Sequence, residues 1–184
     1  MNTRVLTSDT VPAEKLGAYV GHDWRATAGL RAGWSVAFGP VTQVLFLQDA
    51  ETPLPVPPPG IQLEARKRQF LREVSPHRPT GDGITIFDLR CYDPRVGAGA
   101  AFLELMLATL PVRERYSRNF GVWQALSGRD EQVLHLWGYR DLSERDLVRA
   151  HLKSDAEWQT YISTILPMLQ FLNSTILVPL PFCA

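Results

Sequence analysis

Two strand-like stretches of the sequence carry side chains that could perform acid–base or anion-binding chemistry at every second position. The stretches are ITIFDLRCY, residues 84–92, and EQVLHLWGY, residues 131–139. Side chains alternate between the two faces of a strand, so the polar groups of each stretch share one face. These groups are Asp88, Arg90 and Tyr92 in the first stretch and His135, Trp137 and Tyr139 in the second.

The residue types suggest how a catalytic site built from these groups would work. An imidazole such as that of His135 ordinarily ionises near neutral pH, so it could serve as a general acid or base. Arg90 could hold a carboxylate or enolate oxygen, with Tyr92 as a hydrogen-bond donor beside it. Two alternatives are structural: His135 could be a hydrogen-bonded core histidine, and Asp88 could neutralise Arg90 within the fold. The charged run at 113–116 could rim a pocket, although such a run is typically a solvated helix face.

The hairpin that contains His135 has a counterpart earlier in the chain. An offset of 89 residues aligns Trp34 with Trp123, and TQVLFLQDA at 42–50 with EQVLHLWGY at 131–139. The identical pairs include Gln43 and Gln132, Val44 and Val133, Leu45 and Leu134, and Leu47 and Leu136. The repeat indicates two tandem copies of one supersecondary unit.

The C-terminal copy, residues 84–184, is predicted to have the element order βαββαβ. Its strands are marked by β-branched and aromatic residues, and its helices by apolar residues at helical spacing. The predicted strands are 84–92, 120–126, 132–139 and 175–178, and a hairpin turn spans 127–130. The predicted helices are 98–109, which Pro111 kinks or restarts so that it could continue to 116, then 143–153 and 155–170. This order is that of a ferredoxin-like fold.

The N-terminal copy, residues 1–74, is a degenerate version of the same unit. Its strands are predicted at 4–7, 33–38, 42–48 and 70–74, with helices at 12–21 and 62–69. The segment PLPVPPPG at 53–60 is a stiff surface loop, because proline lacks the backbone donor that a helix or central strand needs. Residues 75–83 form the linker between the copies.

Two ferredoxin-like sheets in one chain can pack face to face and close into a barrel with helices outside. We therefore predict an α+β fold in which tandem ferredoxin-like βαββαβ repeats form a fused dimeric α+β barrel. The first and third strands of a repeat are neighbours, so the two polar sets converge, and we expect them to face the barrel interior. One ligand cavity per chain is expected. A flat ligand would be bound there by Trp123, Trp137 and Tyr139, with Phe46 and Trp34 of the N-terminal copy opposite.

The C-terminal copy resembles the NIPSNAP family of the dimeric α+β barrel superfamily, whereas the N-terminal copy matches only in its hairpin. The resemblance is carried by DLRCY (88–92), FLELM (102–106), LPVRERY (110–116), QVLHLWGY (132–139), LSER (142–145), DAEW (155–158) and ILVPLPF (176–182). It implies the barrel fold. The wider superfamily includes cofactor-independent monooxygenases, isomerases, lyases, cyclases and haem-binding or haem-degrading proteins, so the resemblance implies no single activity.

The composition of the chain argues against nucleic acid and membranes as partners. Nineteen basic and nineteen acidic residues give a formal net charge of zero, which offers no electrostatic footprint for nucleic acid or an anionic membrane. No apolar run approaches the roughly 20 residues of a membrane span, and the N-terminus lacks the apolar core of a signal peptide. We therefore expect a cytoplasmic protein. Cys91 and Cys183 are expected to be free thiols, and the four histidines lack metal-ligand spacing, so no metal or other cofactor is expected.

Two functional hypotheses follow from the sequence. The first is an enzyme without bound metal or flavin, acting by acid–base chemistry on a hydrophobic aromatic or polyketide-like metabolite, in secondary metabolism. The reaction would be cyclisation, isomerisation, elimination or cofactor-independent oxygenation, with Asp88, Arg90, Tyr92 and His135 as the catalytic set. The alternative is a non-catalytic binding module for a hydrophobic metabolite, haem or a protein partner. A homodimer is possible in either case.

Overall fold

The computed structural model describes residues 2–81, 83–129 and 131–183. The N-terminal half contains β1 (Thr3–Thr10), α1 (Leu16–Val20), β2 (Leu30–Phe38), β3 (Gln43–Asp49) and β4 (Ala65–Ser75). The C-terminal half contains β5 (Ile86–Pro94), α2 (Gly99–Glu114), β6 (Asn119–Ala125), β7 (Val133–Tyr139), α3 (Leu142–Ser154), α4 (Ala156–Ile165) and β8 (Leu169–Pro179). The predicted turn at 127–130 and the predicted linker at 75–83 include Asp130 and Asp82, which lie outside the described residues.

The eight strands form one closed barrel in the order β1-β3-β2-β8-β5-β7-β6-β4, and β4 pairs with β1 to complete it. Within this order, β4-β1-β3-β2 and β8-β5-β7-β6 are two ferredoxin-like sheets joined edge to edge. The predicted fold class is confirmed: tandem ferredoxin-like units form a fused α+β barrel. The repeat is also visible in the strand register, because Trp34 lies opposite Leu45 in one hairpin as Trp123 lies opposite Leu134 in the other.

The helix predicted at 62–69 is wrong, since residues 65–69 belong to β4. The segment is rich in Arg, Lys and Gln, which favour helices, but β4 pairs with β1 on one side and β6 on the other. Closure of the barrel therefore overrides the local helix propensity. The proline-rich loop covers this part of the sheet instead: Pro55 is buried, and its carbonyl accepts a hydrogen bond of 2.9 Å from Arg66.

The barrel interior is filled by apolar side chains from all eight strands. They leave an enclosed space of only about 10 Å³, lined by Leu6, Trp34, Leu47, Leu71, Leu89, Trp123, Leu134, Leu136 and Leu177. The predicted facing of the strands is therefore inverted. Leu89, Leu134 and Leu136 point into the barrel, whereas the polar sets of β5 and β7 lie on the outer face, under the helices. Because the closed interior is lined only by apolar side chains, it takes up the apolar face of each strand.

Candidate functional site

The register of β5 and β7 brings the predicted polar residues together. Asp88 lies opposite Trp137, and Arg90 lies opposite His135, in an antiparallel pair. The helices α2, α3 and α4 cover this outer face of the sheet, with Leu152 of α3 and Trp158 of α4 packed against the cluster. The predicted convergence of the two sets is confirmed, but on the face opposite to the one expected.

A cavity of about 350 Å³ lies between this face and the helices, within the usual size range of ligand sites. Buried side chains form its floor, and exposed ones from α3, α4 and β8 form its rim. Its lining comprises Arg90, Tyr92, Arg113, His135, Trp137, Arg149, Leu152, Lys153, Trp158, Gln159, Ile162, Leu166 and Leu172. The lining is therefore aromatic, aliphatic and cationic.

The other predicted site residues lie elsewhere. Asp88 and Tyr139 are buried just behind the cavity lining, where they bind arginines. Trp34 and Trp123 lie inside the barrel, on the opposite side of the sheet from His135, so they cannot clamp a ring against it. Phe46 also fails to meet the cavity, because it lies on the outer face of the N-terminal half.

At the position equivalent to His135, which is Phe46, the described residues of the N-terminal half fill the corresponding space with aromatic rings. The ring of Trp24 packs 4.7 Å from that of Phe46, and Tyr19 packs 5.0 Å from Trp24. These rings occupy the space between sheet and α1. The two halves therefore differ because Tyr19 and Trp24 fill the space between sheet and helix in the N-terminal half. The corresponding space in the C-terminal half is the cavity.

The hydrogen bonding of His135 fixes its tautomer. The indole Nε1–H of Trp137 donates to Nδ1 of His135 at 2.6 Å. An indole can only donate, so Nδ1 is unprotonated and the neutral ring carries its proton on Nε2. Among the described residues, this buried Nε2 has no hydrogen-bond partner. His135 therefore lines the cavity and holds an unused N–H donor on an atom that is itself almost fully buried.

The surroundings of His135 keep its ring neutral. Burial, and then the positive charges of Arg90 and Arg113, lower the pKa of His135 to about 3. A histidine with such a pKa is a poor proton acceptor at neutral pH. The predicted role of His135 as a general base is therefore disfavoured, and a role as a neutral hydrogen-bond donor is favoured.

The low pKa of His135 predicts a pH dependence of stability. Below its ordinary pKa of 6.5, the unfolded chain takes up a proton that the folded chain does not bind until about pH 3. Stability should therefore fall as pH drops through this window, by about 1.4 kcal/mol per pH unit for this one group. Urea unfolding of the wild type and of His135→Phe between pH 4 and 8 isolates the contribution. Parallel stability curves for the two proteins would contradict the assignment.

Asp88 is the centre of a buried ion-pair network behind the cavity. Arg90 donates two hydrogen bonds of 2.9 Å to its carboxylate, Arg145 of α3 donates one of 2.8 Å, and the Ser174 hydroxyl donates one of 2.6 Å. Burial alone would raise the pKa of Asp88, but the charge and hydrogen bonds of Arg90, with Ser174 and Arg145, outweigh it and lower that pKa. The question left open by the sequence is settled in part: Asp88 does pair with Arg90, but it is shared between two arginines.

Arg113 of α2 belongs to the charged run that the sequence allowed as a pocket rim, but the sequence prediction did not include it among the site residues. Its side chain is buried, with the guanidinium 4.4 Å from the centre of the Trp137 ring. The signal was present in the spacing: Arg113 follows Phe102 and Met106 on the same buried face of the helix. A charged residue on the apolar stripe of a helix points to a role in the interior.

Two absences bear on the class of site. In the described part of the chain, no group of three or more His, Cys, Asp or Glu side chains is placed to hold a metal ion. None of the helices described is both long enough and apolar enough to span a membrane.

The barrel topology and the covered cavity define a ferredoxin-like dimeric α+β barrel protein. The fold alone is shared with a proposed monooxygenase from Lactobacillus acidophilus, which is 10% identical with a TM-score of 0.68, covering 97% of this chain and 94% of that one. The NIPSNAP family model matches residues 87–184, which include the whole cavity lining. The chain belongs to the NIPSNAP family.

Relatives of this family match more than half of the chain. A NIPSNAP domain protein from Burkholderia xenovorans is 32% identical, with a TM-score of 0.51 over 54% of this chain and 98% of that one. NipSnap homolog 3B from Mus musculus is 31% identical over 107 residues, 55% of this chain and 42% of the relative. NipSnap homolog 2 from Homo sapiens is 29% identical over 120 residues, 64% and 42% of the two chains. The chain thus spans less than half the length of these curated relatives.

Proposed function

We propose that this chain is a cytoplasmic enzyme that acts on a hydrophobic aromatic small molecule by stabilising an enolate formed from it. The observation that carries the proposal is the unpartnered Nε2–H of buried His135 in the lining of a ligand-sized cavity. A buried donor without an acceptor is costly unless a ligand supplies one. A carbonyl or enol oxygen of a substrate is such an acceptor.

The proposed chemistry uses His135 as an electrophile rather than as a base. When a proton leaves the carbon next to a carbonyl group, negative charge develops on the carbonyl oxygen. A neutral imidazole N–H directed at that oxygen stabilises the developing charge, and it acts most strongly where water is excluded. The carbon-bound proton passes to a water molecule at the open rim of the cavity, since no carboxylate is present in the described cavity lining. Isomerisation, cyclisation, elimination and oxygenation can each proceed from an enolate.

The apolar part of the cavity supports an aromatic substrate. Trp137 of the sheet and Trp158 of α4 line it from two sides, and Leu152 and Ile162 complete an aliphatic wall. Flat rings bury large apolar areas against such side chains. The proposal therefore retains the substrate class predicted from the sequence and changes the role of His135.

A deuterium-exchange assay tests the proposal without the natural substrate. The bicyclic aromatic ketone 2-tetralone is incubated with the protein in D₂O, and loss of its α-proton signal is followed by ¹H NMR. We expect exchange faster than in buffer alone, and saturation as the ketone concentration rises. Exchange at the buffer rate with 2-tetralone and with related planar ketones would count against an enzyme of this kind.

One observation favours a non-catalytic binding module as the second candidate. The described lining offers no carboxylate and no histidine other than His135 to take up a carbon-bound proton. Binding of 2-tetralone without accelerated exchange would favour this alternative. Binding of haem or of a protein partner stays a prediction from the sequence.

A further inference from the structure

Arg113 is a buried cation of the cavity lining. Its side chain is 5% exposed, and its guanidinium donates to the Ser117 hydroxyl at 2.6 Å and to the Tyr139 hydroxyl at 2.7 Å. No carboxylate among the described residues forms an ion pair with it. Both partners are neutral, so they orient the guanidinium without balancing its charge.

The neighbouring charges do not balance it either. Asp88 is the one buried carboxylate of the cluster, and Arg90 and Arg145 share it. The exposed Asp146 also lies 3.5 Å from Arg145, at the protein surface. Three guanidinium groups and one buried carboxylate therefore leave an excess of positive charge behind and beside the cavity. Burying charge in this way costs stability unless a counterion completes the site.

The charged side chains at the rim of the cavity are also positive. Arg149 and Lys153 of α3 are one helical turn apart and both line the cavity. The described lining contains four cationic side chains and no Asp or Glu. A cavity of one sign raises the local concentration of ligands of the opposite sign and favours their entry.

We propose that the ligand of this cavity is a planar aromatic acid bound as its anion, with the anionic oxygens paired to Arg113. The inference rests on the proposed function, because it concerns the same cavity, and it deepens it by naming the substrate class. A guanidinium has five N–H donors, and two of them are used by Ser117 and Tyr139. The remaining donors can meet a carboxylate or a conjugated enolate, while Trp137 and Trp158 contact the ring.

The geometry also assigns a task to Tyr139. Its hydroxyl accepts from Arg113, and the ring is fully buried behind Trp137. Tyr139 is therefore a positioning residue that fixes the direction of the guanidinium. It does not line the cavity, so the sequence-based assignment of Tyr139 to direct ligand contact is replaced by this indirect role.

The inference is tested with two ligands of nearly equal shape, 2-naphthoate and its neutral analogue 2-naphthamide. Their dissociation constants are measured by isothermal titration calorimetry with the wild type, Arg113→Gln and Arg115→Gln. Arg115 is the matched control, because it lies two residues away on the exposed side and pairs with Glu157 outside the cavity. Circular dichroism confirms that each variant is folded.

We expect the wild type to bind the anion roughly 10- to 100-fold more tightly than the amide, the range of a charge-assisted hydrogen bond in a partly dry site. Arg113→Gln should abolish the preference and Arg115→Gln should retain it. Equal affinity of the wild type for both ligands would overturn the inference that the ligand is an anion. The proposed enolate chemistry would not be affected by that result, because the 2-tetralone assay tests it separately. Failure of both ligands to bind would also overturn it. The wild-type comparison decides the question even if Arg113→Gln does not fold.

Discussion

Asp88→Asn is expected to lower the free energy of unfolding by about 3–5 kcal/mol, the cost of breaking a buried ion pair by removing one partner. The wild-type carboxylate accepts from Arg90, Arg145 and Ser174. An asparagine keeps one acceptor oxygen, but its amide group turns two donors toward guanidinium groups that can themselves only donate. Arg90 then loses its counterion, and Arg145 keeps only the exposed Asp146. Urea denaturation at neutral pH measures the loss.

Asp146→Asn is the control for this prediction. Asp146 also contacts Arg145, at 3.5 Å, but its side chain is 76% exposed. An exposed pair of this kind contributes about 1 kcal/mol or less. A large loss for Asp88→Asn and a small loss for Asp146→Asn would show that burial decides the effect. If the two variants lost similarly little stability, the buried network would not be a stabilising feature of the fold.

His135→Phe is expected to lower kcat for α-proton exchange in 2-tetralone by about 10²–10³-fold, the effect of removing one oxyanion donor from an active site. Phenylalanine keeps an aromatic ring of similar size between Tyr92 and Trp137, so the floor of the cavity is preserved. It lacks the Nε2–H that we assign to the substrate oxygen. The affinity for 2-tetralone should change far less than kcat, because the donor acts mainly on the developing charge.

His135→Gln separates the donor from the imidazole. The side-chain amide of glutamine can place an N–H close to the position of Nε2, so we expect part of the rate to return. If His135 acted as a general base instead, glutamine would be as inactive as phenylalanine, since an amide does not accept a proton at neutral pH. Equal activity of all three proteins would remove His135 from the mechanism.

The sequence predicted the strands and their pairing because alternation and the internal repeat both depend on local side-chain patterns. It could not predict which face of a strand lies inside the barrel. Alternation assigns the side chains to two faces, but it does not say which face is the inner one. The internal repeat did contain information about which face lies inside the barrel. Trp34 and Trp123, with two pairs of leucines, are identical in the two copies and belong to the shared interior core. Positions that differ between the copies, such as Phe46 and His135, lie under separate helices.

The candidate site was predictable in its strand residues and not in its helix residues. Arg90 and His135 were found because they interrupt apolar strands, and the register then placed them side by side. Arg113 was considered only as part of a charged run that could rim a pocket or face solvent, and only helical phase distinguishes it from Arg115. The helix predicted at 62–69 failed for a different reason, because pairing of β4 on both sides is a long-range effect that local propensity does not contain.

The position of the site outside the barrel is tested most directly by a crystal structure of the chain with bound 2-naphthoate. We expect the ring system between the β5–β7 face and α4, in contact with Trp137 and Trp158, and the carboxylate within hydrogen-bond distance of Arg113. A naphthoate ring found inside the barrel beside Trp34 and Trp123, or at a surface remote from Arg113, would contradict the assignment of this cavity as the functional site.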